Sequence, residues 1–497
     1  MIKISVRPLL KRFLFIGSMM SITTASLSAN LPATLFPLDN YDQSVVTWLP
    51  PTDPDYHKPL ISSQLQQRRM KELYQHLFST APDAMSPWSD NFVNAILAQH
   101  PGLPELESSL LKRFSNRDKD PAHINYAENF RPYSSEWIDK IANNIQTNYP
   151  SSFLKKQRAI AVKNTSIRLL PTSRASFYSY EIAGQGYPFD NLQVSRLWAG
   201  TPVYVFEYSK DFRWALIAAP AAIGWVEAEK LAKVDDAFIS RWQQAVQVNL
   251  IAITDIKVPI FSVSKTYQFS AYIGTIFPLA AVRKNNYTIF IPVRDTTGRA
   301  QIQPALINHQ YAEKMPLAVT RANFAKLFTK LKNRPYGWGG LYNYNDCSAE
   351  LESLFRPFGI WLPRQSPDQV YMGKIEDQTS ATPTDRIAYL REHGRPLMTI
   401  VYIGGHIFLY VGNYSQNGNA TSASTNVMTY QDIWGLRPSD DSSRAIIGQS
   451  LFFPLLLAYP EEPNMVSLAA KNYFQVSYLD QMPETPINMP ARFFSDL

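Results

Sequence analysis

The chain is 497 residues long, which is too long for a single hydrophobic core, so we expect several domains. Its net charge is +7 and charged residues make up 18% of it, but no block of basic residues stands out, which argues against nucleic acid as a partner. Because the chain contains one cysteine, an internal disulfide scaffold is excluded.

Residues 1–29 have the pattern of a secretory signal peptide. Four basic residues come first, the short apolar run Phe13–Ile22 follows, and small residues continue up to Ala29. This run is too short to span a bilayer, and no later segment is long enough, so we expect no integral membrane segment. We therefore predict an exported protein, either periplasmic or secreted.

Residues 30–160 are rich in proline at first and then show helical patterns. The patterns cover Ser63–Phe78, Ser89–Gln99, Leu103–Phe114 and Ser135–Thr147. No motif with chemistry of its own falls in this segment. We predict an N-terminal helical segment that packs on a partner domain and stabilises it.

Two stretches of short β runs follow, separated by a predicted helix over Asp235–Val248. In residues 161–233 the runs are bounded by glycines and end in Gly224-Trp225-Val226, a pattern that resembles a bacterial SH3-like barrel. Residues 250–312 repeat this pattern more weakly. We predict two SH3-like β-barrels.

Cys347 stands at the start of an amphipathic helix pattern. A turn-rich aromatic segment, 334–345, leads into it, and an apolar stripe that ends at Phe355 follows it. At a helix N-terminus, free backbone N–H groups and the helix dipole favour a thiolate over a thiol. A lone cysteine is either a small buried hydrophobe or a nucleophile, and this setting favours the nucleophile.

His406 is the histidine best placed to act as a base for this cysteine. The other six lie in polar or helical surroundings, where a surface or structural role is the ordinary interpretation. His406 opens an apolar run that ends at Gly412, the run Leu397–Ile403 precedes it, and Gly404-Gly405 joins the two. This arrangement predicts a tight β-hairpin with His406 as the first residue of its second strand.

Three blocks in this order resemble the NlpC/P60 cysteine peptidases. They are Pro335–Gly340, Asp346–Ser348 and Gly405–Gly412. The chain departs from that family at residues 394–395, which read Gly-Arg in place of a Gly-Asp pair that shapes a turn and carries no chemistry. The insertion Tyr187–Ser195 resembles the first SH3-like domain of multidomain members. The resemblance therefore covers nearly the whole mature chain.

The resemblance implies a multidomain α+β protein with a papain-like catalytic domain. In that domain a helix that bears the cysteine packs on an antiparallel sheet. The domain would cover residues 320–460, and a C-terminal extension would cover residues 461–497.

The resemblance also implies a third catalytic residue, which orients the imidazole of His406. In relatives it lies three positions before a Trp-Gly pair, which is Gln431 here. Asp432 is the rival, since a carboxylate would stabilise an imidazolium better. Neighbouring strand residues point to opposite faces, so only one of the two can reach the histidine.

The activity implied is cleavage of peptidoglycan stem peptides, usually between γ-D-Glu and meso-diaminopimelate, in peptides with a free N-terminal L-Ala. Tyr336, Asp346 and Ser348 would hold the amine of that alanine. From the residues alone, Asp346 has a second interpretation as a helix N-cap, and Ser348 as a partner for a backbone group. We expect no cofactor, since the histidines show no metal-ligand spacing, and we expect a monomer.

Two other functions stay open. SH3-like barrels would suit a cell-wall-binding scaffold, and the same catalytic fold would suit an amidase or a transferase. The intact pair of Cys347 and His406 argues against the scaffold, and the residues around Cys347 favour the peptidase. The sequence leaves open whether the substrate is the intact sacculus, a recycled fragment or the wall of another cell.

Overall fold

The computed structural model describes residues 33–220, 222–415 and 425–494. The predicted signal peptide lies outside the described residues. Within those ranges, no helix combines the length and the apolar character that crossing a bilayer requires. The described residues form three seven-stranded sheets joined by helices, which confirms the predicted mixed α+β class.

The N-terminal segment is helical, as predicted. Its elements are β1 (Ala33–Leu35), α1 (Val45–Trp48), α2 (Ser63–Leu77), α3 (Asp90–Leu97), α4 (Leu103–Phe114) and α5 (Ser135–Asn144). Ser62 caps α2 and Ser89 caps α3, because each side chain accepts from an N–H group of the first turn. The buried indole of Trp88 donates to the carbonyl of Ala159, so these helices pack on the domain that follows.

The first β domain contains seven antiparallel strands. They are β2 (Arg158–Ala161), β3 (Thr165–Arg168), β4 (Gln193–Leu197), β5 (Pro202–Tyr208), β6 (Trp214–Ala219), β7 (Ala222–Glu227) and β8 (Leu231–Lys233). Their order in the sheet is β4-β3-β7-β6-β5-β2-β8. Val203, Val205, Ile217 and Val226 form part of its own apolar core. We call this domain the first barrel.

The second β domain follows the helix α6 (Asp236–Val248). Its strands are β9 (Leu250–Ile253), β10 (Lys257–Ser262), β11 (Tyr267–Tyr272), β12 (Ile276–Val282), β13 (Asn286–Arg294), β14 (Ala300–Asn308) and β15 (Ala312–Lys314). Their order is β11-β10-β14-β13-β12-β9-β15. Counted from the first strand of each domain, this order is identical to that of the first barrel. We call it the second barrel.

The third sheet belongs to the part of the chain that contains Cys347. Its elements are α7 (Arg321–Leu331), α8 (Cys347–Phe355), α9 (Ser366–Gln369), β16 (Lys374–Asp377), α10 (Pro383–His393), β17 (Thr399–Tyr402), β18 (Ile407–Ser415), β19 (Thr425–Leu436), β20 (Arg444–Leu455), β21 (Gln475–Tyr478) and α11 (Met489–Arg492). The helix α8 packs on β18 and β19, and its residues Leu351, Leu354 and Phe355 are fully buried. The predicted helix on a sheet is therefore present.

Both ends of the described chain contribute to this third sheet. Its order is β1-β20-β19-β18-β17-β21-β16, and every pair is antiparallel except β1 with β20. The strand β21 comes from the predicted C-terminal extension, residues 461–497, and lies between β17 and β16. The hairpin that leads to His406 therefore has a paired strand on each side.

Candidate active site

Cys347 is the first residue of α8, and its side chain is buried. The helix begins there because the carboxylate of Asp346 accepts from the N–H of Ala349 at 3.1 Å, an N-cap contact. The N–H of Ile407 donates to the thiol of Cys347. The sulfur therefore lies beside the residue that follows His406 in the chain.

The turn before His406 is the tight hairpin that the sequence predicts. Gly404 and Gly405 have φ values of 83° and 79°, and the N–H of Ile403 donates to the carbonyl of His406 at 2.9 Å. Positive φ at both central residues is the requirement of a type I′ turn, which suits glycine. His406 is the last residue of this turn, since β18 begins at Ile407, one position later than predicted.

A chain of hydrogen bonds holds the imidazole of His406. Its Nε2 lies 2.7 Å from Oε1 of Gln431, while Nε2 of Gln431 donates to Oγ1 of Thr429 at 3.0 Å. The hydroxyl of Thr429 in turn donates to the carbonyl of Phe453 at 2.6 Å. Because Oε1 of Gln431 can only accept, neutral His406 carries its proton on Nε2, and Nδ1 is left as the basic nitrogen.

Asp432, the alternative partner for His406, lies in a different environment. It is fully buried beside Ser450 and Glu350. Burial, and then the charge of Glu350, raise the pKa of Asp432 well above its ordinary range, so its carboxyl group is neutral. A neutral acid offers no charge to an imidazolium, which leaves Gln431 as the residue that contacts the histidine.

The protonation of the Cys–His pair differs from the sequence-based expectation of a thiolate. Burial, followed by the neighbouring charge of Asp346, raises the pKa of the Cys347 thiol to about 12. Burial also lowers the pKa of His406 to about 4, against a smaller opposite effect of the hydrogen bond that His406 donates to Gln431. Both shifts favour neutral forms, and they outweigh the helix N-terminus. At rest the pair is a thiol and a neutral imidazole.

Asp346 is more heavily engaged than the sequence suggests. Its Oδ1 accepts from Ala349 N–H at 3.1 Å and from the hydroxyl of Ser348 at 3.2 Å. Its Oδ2 accepts from Gly339 N–H at 3.0 Å and from Nη2 of Arg364 at 2.5 Å. A carboxylate has about four acceptor positions, so this one is saturated, and the buried guanidinium neutralises it.

Arg364 is the main residue of this cluster that sequence reasoning missed. Besides Asp346, its guanidinium donates to the hydroxyl of Ser348 at 2.7 Å and to that of Ser195 at 2.9 Å. The only signal in the sequence was a charged residue directly after the apolar run Gly359–Pro363. Ser348 therefore contacts Arg364 and Asp346 together, and a residue of the first barrel completes the cluster.

Tyr336 borders the same cluster. Burial, and then the electrostatic interactions with Cys347 and Asp346, raise the pKa of its phenol well above the ordinary value, so the phenol stays neutral. Its ring lies 6.0 Å from that of Trp434. The three residues predicted to bind substrate, Tyr336, Asp346 and Ser348, are thus brought together next to Cys347.

The first barrel reaches this cluster through the start of β4. Nε2 of Gln193 donates to the carbonyl of Gly339 at 2.8 Å, and the N–H of Gly339 donates to Asp346. Oε1 of Gln193 accepts from Arg168 at 3.1 Å, which fixes the orientation of the amide. A continuous path of hydrogen bonds therefore connects the first barrel to the residue before the cysteine. Local sequence patterns carry no information on such a contact.

An aromatic cluster joins the first barrel to the domain that contains Cys347. Phe189, in the insertion of the first barrel, has its ring 5.2 Å from those of both Trp338 and Trp434. The indole of Trp338 donates to the carbonyl of Asp190 at 3.1 Å.

Within the described residues, no three His, Cys, Asp or Glu side chains are grouped as metal ligands would be.

Three parts of the chain match known families. Residues 176–227 match the SH3 domain of SH3b1 type, residues 235–284 the SH3 domain of SH3b2 type, and residues 333–437 the NlpC/P60 family. This chain carries two bacterial SH3 domains followed by an NlpC/P60 domain. The resemblance is confirmed for residues 333–437, the range that contains all three motif blocks.

One solved structure has a similar fold over most of this chain. An NlpC/P60 endopeptidase from Photobacterium damselae subsp. piscicida is similar, with 26% identity and a TM-score of 0.76 over 91% of this chain and 99% of that chain. An NlpC/P60 family protein from Bacillus cereus ATCC 10987 is more distant, with 14% identity and a TM-score of 0.41 over 62% of this chain and 98% of that chain. No match was found among curated proteins.

The matched NlpC/P60 range contains the three residues predicted to be catalytic. Cys347, His406 and Gln431 all fall within residues 333–437. Gln193 and Ser195 fall within the SH3b1 match at 176–227. The candidate site is therefore built from two domains.

Proposed function

We propose that this protein is a cysteine endopeptidase that hydrolyses the bond between γ-D-Glu and meso-diaminopimelate in peptidoglycan stem peptides outside the cytoplasm. The observation that carries the proposal is the position of Cys347 beside Ile407, the residue that follows a histidine whose tautomer is set by Gln431. A nucleophile, a base and a residue that orients the base are the parts that acyl transfer by a thiol needs.

Acylation would start from the neutral pair. Nδ1 of His406 takes the thiol proton as the sulfur of Cys347 forms a bond to the γ-carbonyl carbon of D-Glu. The carbonyl oxygen becomes an oxyanion, and the first backbone N–H groups of α8, that of Cys347 included, are placed to hold it. Proton transfer accompanies attack because neither a free thiolate nor an imidazolium is favoured in the buried site.

The remaining steps follow from the same groups. The imidazolium of His406 returns its proton to the amine of diaminopimelate, the C–N bond breaks, and a thioester to Cys347 remains. His406 then removes a proton from water, the hydroxyl attacks the thioester, and the thiol leaves with a proton. Gln431 keeps the ring oriented throughout but transfers no proton.

A preference for a free L-Ala amine is the finer part of the proposal. It rests on the resemblance and on the position of Asp346, Ser348 and Tyr336 beside the nucleophile. Arg364 neutralises Asp346, so an ammonium gains less here than beside an unpaired carboxylate. We therefore expect acetylation of the amine to lower kcat/KM about tenfold, near the lower end of what a charged hydrogen bond contributes.

Mass spectrometry of digests tests the reaction. Purified protein is incubated with L-Ala-γ-D-Glu-diaminopimelate peptides and with intact sacculi, and Cys347→Ala is the control. The proposal requires L-Ala-D-Glu as a product, absent in the control. Release of the complete stem from the glycan would point to an amidase, a new amide bond to a transferase, and binding without cleavage to a scaffold.

The variant Asp346→Asn tests the amine preference. It keeps the helix cap but loses the charge, so it should reduce the difference between free and acetylated peptides. Thermal unfolding of the same variant reports the cost of leaving Arg364 without its ion pair. If wild type digests free and acetylated peptides at the same rate, the amine preference is wrong, while the endopeptidase assignment stands.

A further inference from the structure

A cavity lies beside the turn that leads to His406. Its volume is about 560 Å³, within the range of cavities that hold small ligands. Its walls include Tyr402, Gly404, Arg437, Lys471 and Tyr473, and we call it the lysine pocket. None of these residues has a part in the proposed steps of the reaction.

The lysine pocket shares a structural element with the catalytic histidine. Tyr402 and Gly404 belong to the hairpin whose turn ends at His406. The hydroxyl of Tyr402 accepts from the N–H of Gly405 at 3.1 Å. The ring of Tyr473 lies 6.3 Å from that of Tyr402. The wall of the pocket therefore continues directly into the turn that carries the base.

The position of Lys471 is fixed by the fold. Its carbonyl accepts from Nη1 of the buried Arg386 at 2.7 Å, and the carbonyl of Ala469 accepts from the same nitrogen at 2.8 Å. Within the part of the chain that the structure describes, the ammonium of Lys471 makes no ion pair. These two bonds fix the backbone around Lys471, whose side chain lines the pocket.

The electrostatic balance of this region is positive. The charges whose field reaches Lys471 are those of Arg437, Arg444 and Asp441, and both arginines pair with Asp441, at 3.1 and 2.8 Å. Three cations around one carboxylate leave an excess of two positive charges. Burial, and then Arg437, lower the pKa of Lys471 to about 8, so it remains mostly a cation near neutral pH.

The proposed reaction determines which part of the substrate lies next to His406. His406 gives its proton to the leaving amine, so the leaving residue must lie against His406. A substrate carboxylate on that residue would be close to Lys471 and Arg437. We propose that the lysine pocket binds a carboxylate on the leaving side of the scissile bond. This inference rests on the proposed endopeptidase function.

Two carboxylates are chemically equivalent candidates. One is the carboxylate at the D-centre of the diamino acid, and the other is the C-terminal carboxylate of the stem. Peptides amidated at one position or at the other distinguish them, because only loss of the recognised group should abolish the effect of Lys471.

Binding measurements decide the proposal. The full-length inactive variant Cys347→Ala is titrated with diaminopimelyl-D-alanine, the leaving part of a tetrapeptide stem, by calorimetry. Adding Lys471→Met should weaken binding about tenfold or more, Lys471→Arg should restore most of it, and the exposed Lys284→Met should change nothing. Equal affinity with and without Lys471, or no binding to any variant, overturns the proposal.

Kinetics then identify the carboxylate and separate this inference from the function on which it rests. In the active enzyme, Lys471→Met should raise KM about tenfold for the unmodified peptide and leave the peptide without the recognised carboxylate unchanged. An equal loss on all peptides would mean that Lys471 acts through His406 and not on substrate, which contradicts the proposal. If wild type cleaves no stem peptide, the endopeptidase function fails, and the binding result still decides the pocket.

Discussion

The two barrels have the same strand order, but among the described residues only the first barrel contributes to the candidate site. They differ most between their second and third strands, where the first barrel inserts residues 169–192 and the second has the short turn 263–266. The insertion places Phe189 and the carbonyl of Asp190 against Trp338. It also leads into Gln193 and Ser195, which bond to the catalytic domain.

The second barrel contacts the same domain at a different place. Its turn at Gly274, with φ of 82°, lies so close to α8 that a Cβ there would be 2.8 Å from the Cα of Ser353. Ser353 lies near the far end of the helix from Cys347. The same fold therefore occurs twice in this chain with two different roles. The first copy contacts the candidate site through a single inserted loop, and the second copy only packs on the helix that carries Cys347.

The largest effects should come from the catalytic domain and exceed any change in either barrel. Cys347→Ala and His406→Ala should each lower kcat/KM by at least about a thousandfold, because the two act as a unit. Gln431→Ala should cost less, roughly ten- to a hundredfold, since it orients without transferring a proton. Steady-state assays on stem peptides check the order. If Asp432→Ala proves more damaging than Gln431→Ala, the assignment of the third residue is wrong.

The state of the thiol can be tested without changing the chain. Because the pKa of Cys347 is raised to about 12, its reaction with iodoacetamide should be slow near neutral pH. The rate should rise roughly tenfold per unit from about pH 7 to 10, whereas an ordinary thiol levels off near its pKa of about 8.5. Mass spectrometry should show one label on the single cysteine. A rate already at its plateau near neutral pH would indicate a thiolate.

A matched pair of variants tests the comparison of the barrels directly. Gln193 and Tyr267 are the first residues of the third strand in the first and second barrel. Gln193→Ala removes the donor to the carbonyl of Gly339 and should lower kcat/KM about tenfold and stability by about 1–3 kcal/mol. Tyr267→Ala, at a half-exposed position, should leave activity within about twofold. Equal losses in both variants would remove the distinction between the barrels.

The smallest effect concerns stability and pH. After equivalent bulges, the first barrel has buried Glu207 where the second has exposed Ala281. Burial raises the pKa of Glu207 to about 7, and burial together with Glu207 raises that of Glu107 to about 9. Both stay protonated in the folded chain while the unfolded chain releases protons above its ordinary glutamate value. The stability they contribute is therefore full below the ordinary glutamate pKa of 4.5 and is lost as pH rises from there to about 7 for Glu207 and about 9 for Glu107.

Denaturant unfolding at several pH values checks this. Stability should fall by about 1–2 kcal/mol between pH 5 and 8, a figure reduced from the pKa shift because Glu207 keeps some contact with solvent. Glu207→Gln should flatten the dependence. Ala281→Glu places a carboxylate at the equivalent exposed site and should add none. Stability that rises over the same range would contradict the assignment.

Much of the local structure follows from short-range rules. The helix over Leu103–Phe114 has the bounds that its apolar periodicity and flanking residues predict. The helix α8 begins after Asp346 because the aspartate caps it. Gly404 and Gly405 form the hairpin turn because that turn requires positive φ at both positions, which glycine adopts readily. The resemblance, through the spacing to a Trp-Gly pair, named Gln431 as the partner of His406, and strand alternation separated it from Asp432.

Other features depend on groups distant in sequence. Arg364 and Ser195 are 169 positions apart and meet only because the first barrel packs on the catalytic domain. The strand β21 joins the catalytic sheet from the chain's far end, since any unpaired edge can accept it. The helix N-terminus argued for a thiolate, yet the thiol is protonated, because burial depends on everything packed around Cys347. Motifs of a few residues therefore specified the reactive groups, while long-range packing set their charge and the domain that covers them.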